Sequence, residues 1–340
     1  MNDRILSSRL AVGAVEVPGR VWFAPMTGVS DLPFRRVASR LGAAYVATEM
    51  VACEQLARSR PDMVRRAAIG EGLPLMVVQL VGGDPKTVAA GAVAAVNAGA
   101  QIVDLNFGCP AKTVTGIACG SALMRVPDLA VDLVDAVSQA VDVPVTVKMR
   151  LGWDDASRNA PELAARLESA GARAFTVHGR TRRQFYAGDA DWSAVREVTR
   201  AVAVPVIVNG DIVDARSARE ALSRSGADGV MIGRAAIGQP WLAVEVEAGL
   251  NGASTAPPDA EQRLAIVLAH RRASLAFHGP ALGGRMFRKH LAAYVDAAPW
   301  PLDAAARRSA RSDLCRMDDE ADIARALGGL WLDRAMRLAA

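Results

Sequence analysis

Cysteine, lysine and long apolar runs are all scarce in this chain of 340 residues. Its four cysteines, at 53, 109, 119 and 315, show neither metal-ligand spacing nor the paired pattern of a disulfide framework. A reduced, cytoplasmic protein without a metal site is therefore expected. The longest uncharged stretch, 87–103, is rich in Ala and Gly and too short to cross a bilayer. No basic segment followed by an apolar block opens the sequence, so neither a membrane span nor secretion is expected. Low-complexity disorder is excluded from the other side, because a chain that is 51% hydrophobic can offset its ordering entropy by burial. Lysine occurs only at 86, 112, 148 and 289 among 40 basic residues. Arginine is thus the default cation, and each lysine marks a candidate position for a compact point charge.

Positive charge is unevenly spread. Residues 260–340 hold 13 Lys and Arg against 9 Asp and Glu, which accounts for the whole net charge of +4. A solvated helical surface and a footprint for a polyanion are both compatible with that excess.

Along the first 240 residues, short β-branched runs alternate with longer Ala-rich stretches. Strands are expected at 21–24, 45–48, 75–80, 102–106, 145–149, 174–178, 206–209 and 229–232. Helical signals lie between them: Asp84-Pro85 is an N-cap followed by proline at the first helical position. A Gly-Ala exit recurs at Gly42, Gly99, Gly171 and Gly226, each leading into a strand. Continuously apolar strands alternating with helices imply a parallel sheet covered on both faces. Eight such units in about 250 residues match an α/β fold of the (β/α)₈ TIM barrel type better than an open doubly wound sheet. Residues 251–259 read as a linker. Beyond it, 262–277, 285–294, 304–315 and 320–338 show helical periodicity, broken at Pro299-Trp300-Pro301. The expected organisation is a catalytic barrel over 1–250, the linker, and a C-terminal helical domain over 260–340.

In such a barrel the chemistry sits where the strands end. The predicted ends are loaded with polar residues: Pro25-Met26-Thr27, Glu49, Gln79, Asn106, Lys148 with Arg150, His178, Asn209-Gly210-Asp211 and Gly233-Arg234. A single strand-end polar residue is usually a hydrogen-bonded core group, but eight loaded ends imply a large polar ligand. The loops after strands 7 and 8 offer glycine backbone and an arginine fork to a phosphate. Lys148 would set a fixed charge at the barrel mouth, suited to the anion of a reduced flavin, with Gln79 and the backbone near Met26 and Thr27 reading the ring's amide-like edge. No dinucleotide fingerprint, Walker loop or metal cluster competes with that reading. Cys109, between Gly108 and Pro110 just after a strand, has a thiol suited to act as nucleophile or general acid. The lack of a neighbouring base favours the acid.

The stretches APMTGVSDLPFR (24–35), QLVGGDP (79–85), DLNFGCPAKTVTGIACGSALMR (104–125), VTVKMRLGWDD (145–155), TVHGRTRRQFYAGDADW (176–192), NGDI (209–212) and DGVMIGRAAIGQPW (228–241) resemble the tRNA-dihydrouridine synthases, especially the bacterial B-type branch. The likeness continues into the tail through Phe287-Arg288-Lys289-His290. It departs at Gly116-Ile117-Ala118, where many relatives carry basic residues and then a glycine.

That resemblance implies reduction of the C5=C6 bond of tRNA uridines by FMN, with NADPH as reductant. It implies that Pro25, Met26, Thr27, Gln79, Lys148, His178, Asn209, Gly210, Asp211, Gly233 and Arg234 hold FMN. Asn106 would orient the uracil, and Cys109 would protonate C5. Arg288 and Lys289, in the basic tail, are expected on the tRNA backbone, and the expected state is a monomer. Two other functions are compatible with the barrel. A small-molecule flavin reductase of the dihydroorotate or dihydropyrimidine type would need no basic tail. A non-catalytic tRNA-binding regulator would not need Cys109, Lys148 and Arg234.

Overall fold

The computed structural model of the protein describes residues 9–70, 72–116, 118–298 and 303–339, with side chains through 332. The expected break at Pro299-Trp300-Pro301 lies outside the described residues, as does Ile117 of the departure. A short antiparallel hairpin, β1 (Leu10–Val12) and β2 (Val15–Val17), precedes the sheet. Eight parallel strands follow: β3 (Val21–Phe23), β4 (Val51–Ala52), β5 (Val77–Val81), β6 (Ile102–Phe107), β7 (Val145–Arg150), β8 (Ala172–His178), β9 (Val206–Asn209) and β10 (Gly229–Ile232). Their order around the sheet is β3-β10-β9-β8-β7-β6-β5-β4. A parallel bridge between Phe23 and Val46 brings its two ends together. This is the TIM-barrel class expected from the alternation.

The second strand departs from its expected place. Residues 45–48 contribute only the bridge at Val46 and isolated backbone bonds, Phe23 N donating to Tyr45 O at 2.9 Å and Thr48 N to Val77 O at 3.0 Å. The ladder partner of β5 is instead Val51–Ala52. A side chain interrupts the ladder between them: Thr48 Oγ1 accepts the Gln79 N–H at 3.0 Å, a donor that a strand carbonyl would otherwise take. The other strands differ from expectation by at most two residues at an end.

Burial explains the unbroken apolar runs. Every residue of β9 and β10 is buried, because their outward faces meet helices and their inward faces meet the barrel interior. The hairpin plugs the N-terminal end, where Leu10, Val12 and Val17 join Trp22, Tyr45, Ile102 and Ile207 in one cluster. Trp22 and Tyr45 stack there with ring centroids 4.0 Å apart. Local signals placed the outer helices correctly. Asp84 caps Pro85–Asn97 by accepting from Thr87 N at 2.8 Å, and Gly99 takes φ +105° at its exit.

Beyond 250 come helices Ala260–His278, Pro280–Asp296, Ala304–Leu314 and Glu320–Ala339. Asp259 and Gln262 form a capping box at the start of the first. Val267, Phe287, Leu291, Leu314, Leu327 and Trp331 build their shared core. A buried contact joins them to the barrel: His278 Nε2 lies 2.8 Å from Asp31 Oδ2, at the N-cap of the helix Leu32–Arg40. Among the described residues no helix is long and apolar enough to cross a membrane.

Candidate active site

The C-terminal strand ends open into one cavity of about 930 Å³. It is lined by Pro25, Met26 and Thr27 after β3, Gln79 from β5, Asn106 from β6 and Cys109 beyond it. Lys148, His178, Asn209-Gly210-Asp211 and Gly233-Arg234 line the remaining wall. Residues spread over 210 positions of sequence therefore face one space, because a parallel barrel gathers every strand's carboxyl end on one rim. Arg288 and Lys289 do not line it. They are exposed on the helix Pro280–Asp296, where Arg288 lies 3.5 Å from Asp318. The Lys289 ammonium reaches back to Gly28, the residue after Thr27.

Cys109 sits in a backbone held from three sides. Asn106 Oδ1 accepts from Cys109 N at 2.8 Å and Gly108 N at 3.2 Å. Ser121 binds the Cys109 carbonyl twice, through Oγ at 2.8 Å and N at 3.0 Å. Arg150 Nε holds the Gly108 carbonyl at 2.8 Å. Half-buried and without a disulfide, the thiol belongs to a loop that has little freedom to move it.

Behind that loop runs a polar chain. Asn106 Nδ2 donates to Gln79 Oε1 at 2.8 Å, Gln79 Nε2 to Asp104 Oδ2 at 2.7 Å, and Thr146 Oγ1 to Asp104 Oδ1 at 2.6 Å. Burial pushes the Asp104 carboxyl up to about 6 despite those hydrogen bonds. Beside this chain, on the strand next to Asn106, Lys148 Nζ donates to Asn209 Oδ1 at 3.1 Å, and Asn209 Nδ2 is anchored on Met231 O at 2.7 Å.

The cavity is electropositive. Lys148, Arg150, Arg180 and Arg234 all line it, and Asp211 stands among them. Asp211 is tied to Arg180 at 2.5 Å and to Arg234 at 3.5 Å. Burial, and then the neighbouring Arg150, lower the Lys148 ammonium to about 8. His178 is held well below the usual imidazole range by burial and then by Lys148, Arg150, Arg180 and Arg234. It is neutral at pH 7. Arg180 Nη1 can only donate, so His178 Nε2, 3.2 Å away, is the acceptor and its proton sits on Nδ1.

Crowded cations and a neutralised acid are what an anionic ligand requires, and a flavin phosphate fits this donor set. Gly210 matters to the loop after β9 for its shape. At φ +117°, a Cβ there would stand 2.7 Å from Ala190 Cβ and 2.9 Å from the His178 ring. An amide-like ring edge would find Gln79 and Lys148 among the lining residues.

Sequence reading gave no role to Arg180, Asp104, Phe185 or Tyr186. Arg180 lies two residues past the strand-end histidine, beyond the strand, where alternation no longer fixes the direction of a side chain. Tyr186 lies over two guanidiniums, 5.0 Å from Arg234 and 5.8 Å from Arg150, at the exposed lip of the cavity. In the departing segment Ala118 takes φ +54°, a conformation that glycine adopts without strain. Among the described residues no group of three or more His, Cys, Asp or Glu is placed to hold a metal.

Comparison with known proteins bears on this cavity. A family model described as dihydrouridine synthase matches residues 22–324. The chain is 47% identical over 303 residues to a probable tRNA-dihydrouridine synthase of Rhodobacter capsulatus, covering 88% of this chain and 93% of that one. It is 42% identical over 308 residues to tRNA-dihydrouridine synthase B of Pseudomonas putida, covering 90% and 91%. Among solved structures it resembles morphinone reductase, with TM-score 0.54, 16% identity and coverage of 77% of this chain and 93% of that one. It also resembles histamine dehydrogenase from Rhizobium sp. 4-9, with TM-score 0.57 and 14% identity over 80% of this chain and only 51% of that longer one. At such identities these two likenesses speak for the barrel alone.

Proposed function

The chain belongs to the dihydrouridine synthase family, and from that premise we propose how its barrel mouth carries out the flavin-dependent reduction of tRNA uridines to dihydrouridine. The observation that carries the reading is the convergence on one cavity of a rigidly held thiol, a half-buried lysine and a cluster of cations suited to a phosphate. In this reading the flavin is FMN. Asn209-Gly210-Asp211 and Gly233-Arg234 would hold its phosphate, where Arg234 and Arg180 already neutralise Asp211 and leave N–H groups for the ligand. Pro25, Met26, Thr27 and Gln79 border the ring, with one Gln79 Nε2 hydrogen unused by Asp104. Lys148 and neutral His178 complete the polar wall.

When bound, the flavin supplies a hydride to C6 of the uracil. Cys109 would deliver the proton to C5. Asn106 does two jobs: its oxygen fixes the Cys109 backbone, and its second N–H faces only Met50 Sδ at 3.9 Å. That weak contact is one a uracil carbonyl would replace. The substrate base must leave its stack to reach the cavity, at a cost that unpaired loop uridines keep low. We assign the barrel over 1–250 to catalysis and 260–340, joined by 251–259, to tRNA binding through Arg288 and Lys289. NADPH serves as reductant, the protein acts as a monomer, and the cytoplasm, where tRNA is found, is its compartment.

Replacing Cys109 with Ala tests the reading. The variant should keep its flavin and that flavin's reduction by NADPH, while dihydrouridine in tRNA, read by mass spectrometry, falls by roughly 10²–10⁴-fold. Turnover near the parent's would remove Cys109 as the acid. An equal loss of flavin reduction would make it structural.

A further inference from the structure

Next to the main cavity the rim carries a second recess, a groove of about 620 Å³ walled by the loops that follow β6, β7 and β8. Trp153 stands in it beside Arg125, whose guanidinium lies 4.8 Å from the ring centroid; Arg182, outside the groove's lining, lies 4.7 Å from the same ring. The three loops are fastened to one another. Asn159 Nδ2 donates to Met124 O at 2.8 Å, Arg182 N to Gly152 O at 3.0 Å, and Arg183 N to Trp153 O at 2.9 Å. Neighbouring side chains link the groove to the site already described. Arg182 also packs 5.4 Å from Phe185, which lines the main cavity, and the turn leading to Arg125 begins beside Ser121, the residue that holds the Cys109 carbonyl.

The chemistry of the groove goes unused in the reduction. Its acid, Asp154, is occupied by Ser157 Oγ at 2.7 Å and by Arg183 at 3.6 Å. Arg125 and Arg182 meet no carboxylate among the described residues and lie on an indole instead. Asn159 Oδ1 and Arg182 Nε are buried without a partner among the described residues. A guanidinium laid on an aromatic face loses rotamers in advance and keeps its N–H edge pointing outward, the geometry that forks onto phosphate oxygens. Arg125 is held in this way at the groove, and Arg182 on the same ring adds a second positive charge beside it.

We propose that this groove grips the sugar–phosphate backbone of the tRNA at a nucleotide on the strand beside the extruded uridine. The proposal rests on the reading that the cavity reduces tRNA uridines. It puts an RNA contact on the barrel itself, across the mouth from the basic tail. Two anchored sides would hold the strand while one base is turned out between them. Backbone contacts of this kind carry no sequence information, so the groove would fix register and leave the choice of uridine elsewhere.

The test uses the flavin-loaded, full-length protein and an unmodified tRNA transcript. For the parent, Arg125→Ala and Arg125→Lys, tRNA affinity is measured from low to physiological salt, with flavin content, melting temperature and NADPH oxidation alongside. Arg125→Ala should weaken tRNA binding roughly tenfold, the scale of one charge-assisted hydrogen bond. It should also flatten the dependence of log affinity on log salt by about one unit. Arg125→Lys should keep the salt slope and recover only part of the affinity, because the charge remains and the flat fork does not. Unchanged affinity and slope with a lower melting temperature would overturn the proposal and leave the cluster as loop packing. A raised KM for NADPH with unchanged tRNA affinity would overturn it in favour of a reductant phosphate. If the parent itself neither binds nor reduces tRNA, the reading of the cavity fails. If the parent does both and the variants match it, only the groove proposal fails.

Discussion

Lys148 keeps its charge in a place that resists it. Burial and the adjacent Arg150 lower it to about 8, while Asp104 and Cys109 pull the other way. The sign of the consequence follows from the charged form. Relative to an unfolded lysine near 10.5, the folded protein binds fewer protons between the two values, so the strain of the buried cation is felt below pH 8 and relieved above it. An anionic ligand offsets that strain only while the ammonium is protonated. Flavin affinity for the apoprotein, titrated by fluorescence from pH 7 to 9.5, should therefore fall as pH rises through about 8. Lys148→Met should bind more weakly at pH 7 and show no step there. A parental affinity that is flat across this range would separate Lys148 from the flavin. His178, neutral throughout, contributes no step of its own near pH 7.

At the scale of elements, the loop after β9 shows how backbone shape and site are joined. Gly210 sits at φ +117° with its carbonyl held by Trp192 Nε1 at 2.8 Å, between Asn209, which positions Lys148, and Asp211, which ties down Arg180. A side chain there meets two obstacles, an unfavourable φ and the close approach of Ala190 and His178. Gly210→Ala should lower the melting temperature and loosen flavin together. Adding Ala190→Gly removes the nearer contact but leaves the His178 ring and the φ, so it should recover part of the stability and not all of it. Thermal melts with flavin release on dilution decide this, and an Ala variant as stable and as yellow as the parent would count against it. The segment around Thr48 makes the same point in the sheet, where one hydroxyl accepting from Gln79 N moves the strand from 45–48 to Val51–Ala52.

For the whole molecule the question is what the tail does. Its helices share a core of their own, and His278 meets Asp31 in a buried contact directly behind the loop of Met26 and Thr27. The tail is thereby tied to a wall of the cavity. Arg288 and Lys289 lie on its exposed surface, yet Lys289 turns back to Gly28. The double change Arg288→Ala, Lys289→Ala should raise KM for tRNA and flatten the salt dependence of binding by about one unit per charge engaged, with flavin content unchanged. A lower melting temperature with an unaltered salt slope would instead assign the pair to docking the tail on the barrel. Affinity over a salt series, with melts on the same samples, separates the two.

Much of this was legible in the sequence because it is local. An apolar run ending in a polar residue marks a strand and its rim, so Gln79, Asn106, Lys148, His178 and Asn209 could be picked out one at a time. Asp84-Pro85 and the Gly-Ala exits marked helix ends by backbone preference alone, and apolar periodicity placed the first tail helix to within two residues. What tertiary structure decided depends on which loops meet. The three-residue hairpin strands have no periodicity to read, and only the open end of the barrel gives them a face to cover. The neutral His178, the lowered Lys148 and the clamped Asp211 arise from charges far apart in sequence and close in a low-dielectric space. Trp153 acquired its two arginines in the same way, from loops on neighbouring strands. Periodicity and turn chemistry act over a few residues and so are written along the chain, whereas burial and electrostatics act through space and are fixed only when the barrel closes.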